Sequence, residues 1–518
     1  MAKQLPTELW YRIIQFLPPQ DQKTCLSVSK LHHDIAQKYV FSHIIITLGL
    51  WRRDDDISHG IDFGLTPAPI EVAEASRLAK LNYALLRHIT RTPEFARLVK
   101  KLTVRAYSLF EESPLVYEIS TLAEAIEALH NLSAFAWFGP LPKLPCEVMD
   151  ALLRSSGQRV VDFIIHPEFP EDLCLPSFTQ VQSLVFRHRF LDLWPQMHVG
   201  APYHKTVHRT IAANSATLRR LEVFGDALWE CLPMSFASLH ELAIVFPCTL
   251  AGLGSVFEHC RELRGFTLCT ENDGSEIIDV LNIHQDAFPH LTSFKLLSVF
   301  DLDEDVIEEV AKFLKKKRRL RRVDVLSRTQ VDQGEDLINM SFLKILRDLP
   351  NLEILGLDIR PAKMTSAHVK LLEQYVPPQV TALSILFHAN TSDVKVVDWR
   401  SFFSKHEALR YLHIGTRQPL TRSLGNAIFR RPPPNLELLG YNNGLRWVTH
   451  DPKTRAPKYS EFWPASKVYF RSVEEYQGHE DWEWLLRHHG QDDDDCDIWS
   501  MDPPDLWKRM DSSDKDLN

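Results

Sequence analysis

The sequence lacks the features that identify several large classes of protein. No two of its eight cysteines form a Cys-x-x-Cys pair, which argues against a zinc ribbon, a RING domain or a redox pair and for reduced thiols in the cytosol or nucleus. The most apolar run, residues 41–51, is too short to span a bilayer. No basic-then-apolar signal opens the chain. We therefore expect a cytoplasmic or nuclear protein without a membrane partner.

The sequence has no excess of basic over acidic residues either. The formal net charge is −9, and residues 481–518 alone hold twelve Asp/Glu and four Lys/Arg, so the rest of the chain is nearly balanced. Because binding to phosphates needs a net basic surface, nucleic acid is not an expected partner. Residues 491–518 contain the runs DDDDCD and SSDKD, which predict a disordered acidic tail.

Three common motifs for catalysis, nucleotide binding and metal binding are absent from the sequence. The chain contains no G-x-S-x-G, no G-x-x-x-x-G-K-[ST] and no H-E-x-x-H. His488 and His489 precede the acidic tail, but no ligand spacing there matches a closed metal site. We therefore expect no catalytic residues, no metal ligands, no cofactor and no enzymatic activity. An enzyme of unrecognised type remains an alternative.

The first residues predict a small helical module. In LPTELWYRIIQFLPPQDQ, residues 5–22, apolar residues recur at helical spacing from Leu9 to Leu17. Pro18 and Pro19 should end this helix, and Asp21 is a plausible N-cap for a second one. The spacing of Leu31, Ile35 and Tyr39 predicts a third helix.

These residues resemble the F-box motif. The resemblance lies in LPTELWYRIIQFL, then Pro-Pro-Gln-Asp, then LSVSKLHHDIA, and covers residues 3–47. It implies docking onto the Skp-type adaptor of a cullin-RING ubiquitin ligase. Gln22 stands where the family often has an apolar residue, and the Trp that commonly ends the motif is missing. The positions implied at the adaptor interface or in the small module core are Leu5, Pro6, Leu9, Ile13, Leu17 and Val28. The alternative is that the module only caps the repeats.

A second pattern fills the body of the chain. One seven-residue frame has large apolar residues at positions 1, 4 and 6. Its nine copies start at residues 218, 239, 263, 291, 320, 352, 380, 409 and 436, and weaker copies start at Val99, Leu132, Val160 and Val181. The frame resembles the L-x-x-L-x-L of leucine-rich repeats. Positions 4 and 6 of each strand should point inward and positions 3, 5 and 7 outward.

The predicted fold class is therefore α/β, with a three-helix module followed by an irregular leucine-rich-repeat solenoid, or horseshoe, because each repeat buries its apolar side only against its neighbours. Chance strands in an ordinary α/β sheet are the alternative. The predicted parts are a helical module (1–47), a linker (48–74), the solenoid (75–445), a Trp-rich C-terminal cap (446–490) and the acidic tail (491–518).

The two patterns together predict a substrate-recognition adaptor of an SCF-type ubiquitin ligase. The module would dock the Skp-type adaptor and the cullin-RING core, and the solenoid would bind a protein substrate through outward positions. The candidate substrate-binding residues are Arg220, Glu222, Phe224, Arg322, Asp324, Leu326, Tyr411 and His413. The competing function is a leucine-rich-repeat scaffold with no link to ubiquitin.

One basic run has two interpretations. KKKRRLRR, residues 315–322, fits a nuclear import signal. It also fits the end of a helix that starts at acidic residues 301–305, which is the charge order that the helix dipole favours.

Overall fold

The structure is a computed structural model, and it describes residues 5–49, 69–107, 116–170, 173–187, 201–271, 274–299, 302–327, 340–361, 363–387, 393–416, 422–442, 444–464, 467–468 and 472–489. Most of the predicted linker and the whole predicted acidic tail lie outside these residues. The described part divides into two compact units, residues 5–239 and residues 240–489. None of the helices described here is both long and apolar enough to cross a membrane.

The first unit opens with the three helices that the sequence predicts. They are α1 (Thr7–Phe16), α2 (Pro19–Cys25) and α3 (Lys30–Val40). Their core consists of Ile14, Ile35 and Ala36, surrounded by partly buried apolar side chains. Such a small core gives the module little stability of its own.

The second helix begins earlier than expected. It starts at Pro19, with Pro18 as the N-cap, so Asp21 lies in the first turn and the prediction of an Asp21 cap is wrong. Proline suits the first helical position because that position needs no backbone N–H. Gln22, which departs from the F-box pattern, donates its side-chain amide to the carbonyls of Ile14 and Leu17 (3.1 and 3.0 Å). These contacts tie α2 to the C-terminal end of α1.

Within the described residues up to 239, six parallel strands follow one another in chain order. They are β1 (His43–Gly49), β2 (Lys101–Tyr107), β3 (Ala134–Leu141), β4 (Asp162–Ile165), β5 (Ser183–Phe186) and β6 (Arg220–Phe224). The helices of this unit after the module are α4 (Pro69–Arg91), α5 (Pro93–Ala96), α6 (Val116–Ala128), α7 (Cys146–Ser155) and α8 (Ala201–Ala213).

The second unit continues the same frame. Its described strands are β7 (Glu241–Val245), β8 (Gly265–Thr270), β9 (Ser293–Ser298), β10 (Arg322–Ser327), β11 (Ile354–Ile359), β12 (Ala382–Phe387), β13 (Tyr411–Thr416), β14 (Leu438–Tyr441), β15 (Gly444–His450) and β16 (Pro457–Tyr459). Strands β7 to β14 pair in parallel, whereas β15 and β16 pair antiparallel at the end.

The helices of the second unit are α9 (Leu253–His259), α10 (Ser275–Ile283), α11 (Glu304–Lys315), α12 (Met340–Leu346), α13 (Ser366–Tyr375), α14 (Val396–Lys405), α15 (Arg422–Phe429) and α16 (Glu480–Leu486). All thirteen strands that the repeat frame predicts are present, and the predicted fold class is confirmed. Strand β1, which the sequence analysis did not predict, begins within the segment assigned to the helical module.

The strand register shows which positions share a face. In the second unit, position 5 of each repeat pairs with position 5 of the next, as Lys295 does with Asp324 and Ser384 with His413. Position 4 faces the α-helices, since Phe294 of β9 contacts Phe313 of α11 with 6.2 Å between ring centroids. Positions 3, 5 and 7 therefore form the opposite side of the sheet, which we call the position-5 face.

A side-chain amide just before position 1 links successive repeats, and the sequence analysis missed it. Asn131, Asn351 and Asn435 each donate to a main-chain carbonyl about one repeat earlier, at 2.8 to 2.9 Å. Gln379 makes the same contact at 3.3 Å. The sequence signal is an Asn or Gln directly before the first apolar residue of the frame.

Candidate protein-interaction surfaces

The helical module exposes several large apolar side chains. Along α1 and the residue before it, Leu5, Leu9 and Ile13 have exposed fractions of 46%, 43% and 40%. Leu9 and Ile13 lie four residues apart and share one face of the helix. Further exposed members are Phe16, Val28 and Leu31. The neighbour Ile14 is only 1% exposed, so two adjacent isoleucines divide between surface and core.

The structure thus separates the predicted adaptor-binding residues into two groups. Leu5, Pro6, Leu9, Ile13 and Val28 are exposed. Leu17 is partly buried and packs against the module core. Exposed apolar side chains at this density on so small a module are typical of an interaction surface.

The predicted substrate-binding residues of the first unit are mostly enclosed. Glu222 is 2% exposed and forms an ion pair with Arg187 at 3.5 Å. Phe224 is 7% exposed, and its backbone N–H donates to the hydroxyl of Tyr203 at 2.9 Å. Burial raises the pKa of Tyr203 far above its usual range. Arg220 is partly buried. These side chains are therefore largely part of the packed strand and expose little surface for a partner.

The position-5 face of the second unit is covered by the chain itself. Residues 472–489, which we call the C-terminal segment, lie against this face through α16. The predicted substrate-binding residues Asp324, Tyr411 and His413 are fully buried, and Leu326 is 3% exposed. Arg322 is mostly buried and contacts the segment. Substrate binding by these residues stays a prediction.

The predicted Trp-rich cap is therefore divided into two parts. Strands β15 and β16 extend the sheet beyond β14 at its edge. Trp482 and Trp484, in contrast, pack across strands in the interior of the sheet rather than at its end. The sequence had predicted a single end cap over residues 446–490.

Apolar contacts hold the segment over four neighbouring strands. Position 3 of each of these strands contributes one side chain to a cluster with α16, and these side chains are Ile354, Ala382, Tyr411 and Leu438. The ring of Trp482 lies 5.5 Å from that of Tyr411, and it stacks on His479 at 4.0 Å. Burial of aromatic side chains of this size supplies most of the apolar stabilisation available to a short helix.

A buried lysine holds the end of α16. The ammonium of Lys295, a residue only 1% exposed, donates to the main-chain carbonyls of Trp484, Leu485 and Arg487 at 2.7, 3.0 and 2.8 Å. A helix end leaves such carbonyls without partners, and a cation there is favoured by the helix dipole. Lys295 also forms an ion pair with Asp324 at 2.8 Å and lies 4.5 Å from the ring centre of Trp484.

A second buried contact ties the segment's end to the sheet. Nε2 of His489 lies 2.7 Å from Oδ2 of Asp324. Burial alone would raise the pKa of Asp324, but the charges and hydrogen bonds of His489 and Lys295 outweigh it and lower this pKa to about 2. Burial lowers the pKa of Lys295, although Asp324 opposes this shift. The three side chains form one buried charged group.

Two arginines contact the start of α16. Asp481 accepts a hydrogen bond from Arg321 at 2.5 Å and forms an ion pair with Arg322 at 2.6 Å, and Glu480 lies 3.4 Å from Arg322. These groups are partly solvent-exposed, so each pair contributes little to stability on its own. The two guanidinium groups therefore lie beside the first turn of α16, which carries acidic residues.

Glycine at position 5 makes room for the buried polar side chains. A Cβ added to Gly356 would lie 2.6 Å from Cγ of Asp324, and one added to Gly440 would lie 2.8 Å from Cγ of His413. Real Cβ atoms essentially never approach that closely, so these positions require glycine as long as the neighbouring side chains stay in place.

The pKa of Asp324 gives a testable pH dependence. Its folded-state pKa is about 2 against an ordinary value of 3.8, so its stabilising contribution is present above about pH 4 and is lost as the pH falls towards 2. We expect acid to weaken the attachment of the segment in this window. Titration of unfolding midpoints for the wild type and Asp324→Asn measures the effect, since the variant should show a shallower dependence below pH 4. Equal slopes would contradict the assignment.

The basic run 315–322 is built into the fold. Lys317 is 6% exposed and donates to the main-chain carbonyls of Gln285 and Ala287, and burial lowers its pKa to about 8. Arg321 and Arg322 contact Asp481. Helix α11 has acidic residues in its first turn and lysines in its last. Lys315 is the last residue of α11 and Arg322 the first of β10, so the run closes this helix and connects it to the next strand.

Metal-binding clusters were sought among the described side chains. No group of three or more His, Cys, Asp or Glu residues in this part of the chain is placed to hold a metal ion.

Comparison with known proteins yields likenesses of fold only. No protein-family model matches the sequence, and no curated protein matches it. Among solved structures, the leucine-rich repeat-containing protein LegL7 from Legionella pneumophila is similar over 71% of this chain and 94% of its own, with 12% identity and a TM-score of 0.31. Rad7, solved with Elc1 from yeast, is similar over 71% and 91%, with 12% identity and a TM-score of 0.32. The first of these neighbours is named as a leucine-rich-repeat protein, and similarity at this level carries no argument about function.

Proposed function

We propose that this chain is a non-enzymatic substrate adaptor of an SCF-type ubiquitin ligase. Its helical module docks the Skp-type adaptor, which links it to the cullin-RING core, and its repeats bind a protein substrate. Ubiquitin transfer then belongs to the partner proteins. The proposed place of action is the cytoplasm or the nucleus.

The observation that carries this proposal is the apolar surface of the module. Leu5, Leu9 and Ile13 expose 40% or more of their area although the module's core is small. Covering such side chains with a partner removes apolar surface from water and would stabilise the complex. The F-box resemblance of residues 3–47 places the implied adaptor contacts on these side chains.

Ile13 and Ile14 provide a matched pair for testing the module. We expect Ile13→Ala to weaken binding of the Skp-type adaptor at least about tenfold, the loss of about 1.4 kcal/mol that a truncated interface anchor can cost, while the unfolding midpoint stays unchanged. We expect Ile14→Ala to destabilise the module by about 2–5 kcal/mol, because it opens a cavity in the core. Titration calorimetry and thermal unfolding of the full chain measure the two effects.

Replacement of Leu5 and Pro6 by Ala is a second, independent variant. Both residues precede α1 and are exposed, so their replacement should abolish co-purification with the adaptor while the fold is kept. Binding that survives this change would mean that the interface lies elsewhere. If the intact wild-type chain binds no Skp-type adaptor, the alternative of a ubiquitin-independent repeat scaffold replaces the proposal.

A further inference from the structure

The C-terminal segment occupies the position-5 face in the way one protein occupies the binding site of another. Its polar contacts with Lys295, Arg322 and Asp324 join residues 158 to 192 positions apart in the sequence. They combine aromatic anchors, a rim of arginines and one central buried cation. Trp, Tyr and Arg are the residues that dominate binding energy at protein–protein interfaces.

The site recognises three chemical features of the segment. Arg321 and Arg322 bind a carboxylate in the first helical turn. The position-3 side chains, Tyr411 among them, accept two indole rings two residues apart. Lys295 binds main-chain carbonyls at the helix end, so this third contact does not depend on which side chains the bound helix carries there.

The buried charges favour selectivity over stability. Lys295 and Asp324 are each 1% exposed or less, and together with His489 they form a desolvated charged group. Well-packed apolar residues of similar volume would often stabilise a permanent core as well or better. A charged group of this kind instead disfavours a segment that offers Asp324 no donor such as the imidazole of His489.

We propose that the position-5 face of the second unit is a docking site for a partner protein's acidic, tryptophan-rich helical segment, and that residues 472–489 hold this site in cis until such a segment displaces them. This inference deepens the proposed function and rests on its claim that the repeats bind a protein. It assigns the chemistry of the recognised segment and adds that the intact chain occupies its own site.

The test uses the full chain and a fluorescent synthetic peptide of residues 478–490, GHEDWEWLLRHHG. Replacing Trp482 and Trp484 by Ala in the chain removes the two aromatic anchors and should open the site. We expect the peptide to bind this opened variant at least about tenfold more tightly than it binds the wild type, as measured by fluorescence anisotropy.

Substitution of Lys295 tests whether the peptide occupies the proposed site. Adding Lys295→Met to the opened variant should weaken peptide binding at least about tenfold, because the carbonyls at the helix end then lose their donor. Lys312→Met is the matched control, since Lys312 is half exposed and pairs with Glu308 and Glu309 of its own helix. It should leave peptide binding unchanged. A peptide with Arg in place of Asp481 should bind weakly to all variants.

Asp481→Arg in the full chain is a milder second way to open the site. This residue is partly exposed and contacts Arg321 and Arg322, so the change reverses an attraction without removing an aromatic side chain. Circular dichroism establishes that each variant is folded. The proposal is overturned if the peptide binds neither folded variant, if Lys295→Met has no effect on bound peptide, or if both variants unfold and thereby show the segment to be an obligatory part of the core.

Adaptor binding is measured on the same preparations. Loss of peptide binding with adaptor binding intact would reject the docking site alone. Loss of adaptor binding in the intact chain would reject the proposed function, whatever the peptide does.

Discussion

Lys295→Met is expected to lower the free energy of unfolding of the second unit by about 3–5 kcal/mol, the range found when one partner of a buried ion pair is removed. The change leaves Asp324, fully buried, without its ammonium partner. It also leaves the carbonyls of Trp484, Leu485 and Arg487 without the donor they share. Methionine keeps most of the side-chain volume, so the loss reports on charge and hydrogen bonding rather than on a cavity.

Two further variants distinguish this explanation from general damage. Lys312→Met removes an exposed ion pair and should change the free energy of unfolding by less than about 0.5 kcal/mol. Adding Asp324→Leu to Lys295→Met removes the unpaired carboxylate and should recover part of the lost stability. Chemical denaturation curves of the full chain measure all three. A loss below about 1 kcal/mol for Lys295→Met would contradict the buried-pair account.

Gly356→Ala is expected to destabilise the second unit by about 3 kcal/mol, the upper part of the range for overpacked positions. The added methyl would lie 2.6 Å from Cγ of Asp324, which cannot move aside because Lys295 and His489 hold its carboxylate. The C-terminal segment should loosen at the same time, since it shares this carboxylate. Denaturation midpoints and the protection of α16 from hydrogen exchange measure the two effects.

Gly254→Ala is the matched control for this glycine. Gly254 lies in α9, and the nearest atom to an added Cβ is Nε2 of His284 at 3.9 Å. Alanine there should be neutral or stabilise by up to about 1 kcal/mol, because it favours the helix. In an Asp324→Ala background, Gly356→Ala should cost much less than alone, because the clash partner is gone. Equal costs in the two backgrounds would show that another contact is responsible.

The repeat architecture could be predicted because its signal is local. A strand whose apolar residues alternate identifies its inward face within seven residues, so the frames at residues 320 and 409 predicted β10 and β13 together with the side of the sheet on which Asp324 and His413 lie. The same logic predicted the three helices of the module. Strand β1 was missed because HIIITLG, residues 43–49, is a short apolar run that lacks the frame.

The packing of the C-terminal segment on the position-5 face could not be predicted, because it depends on contacts between residues that are distant in the sequence. Nothing near residue 480 indicates that Trp484 will meet Lys295, 189 positions earlier. Two signals were nevertheless in the sequence. Lys295 interrupts an apolar strand, and Gly356 and Gly440 occupy position 5 where other repeats carry side chains. Both signals indicate that some part of the chain or another molecule packs closely on the position-5 face, but neither indicates which one.

The most direct test of the central claim, that the chain joins a ligase through its helical module, is a titration of the purified intact chain with a Skp-type adaptor. The account predicts saturable binding with one adaptor per chain, weakened at least about tenfold by Ile13→Ala and unchanged by Lys312→Met. An intact, folded chain that shows no saturable binding, or binding that Ile13→Ala leaves unaltered, would contradict it.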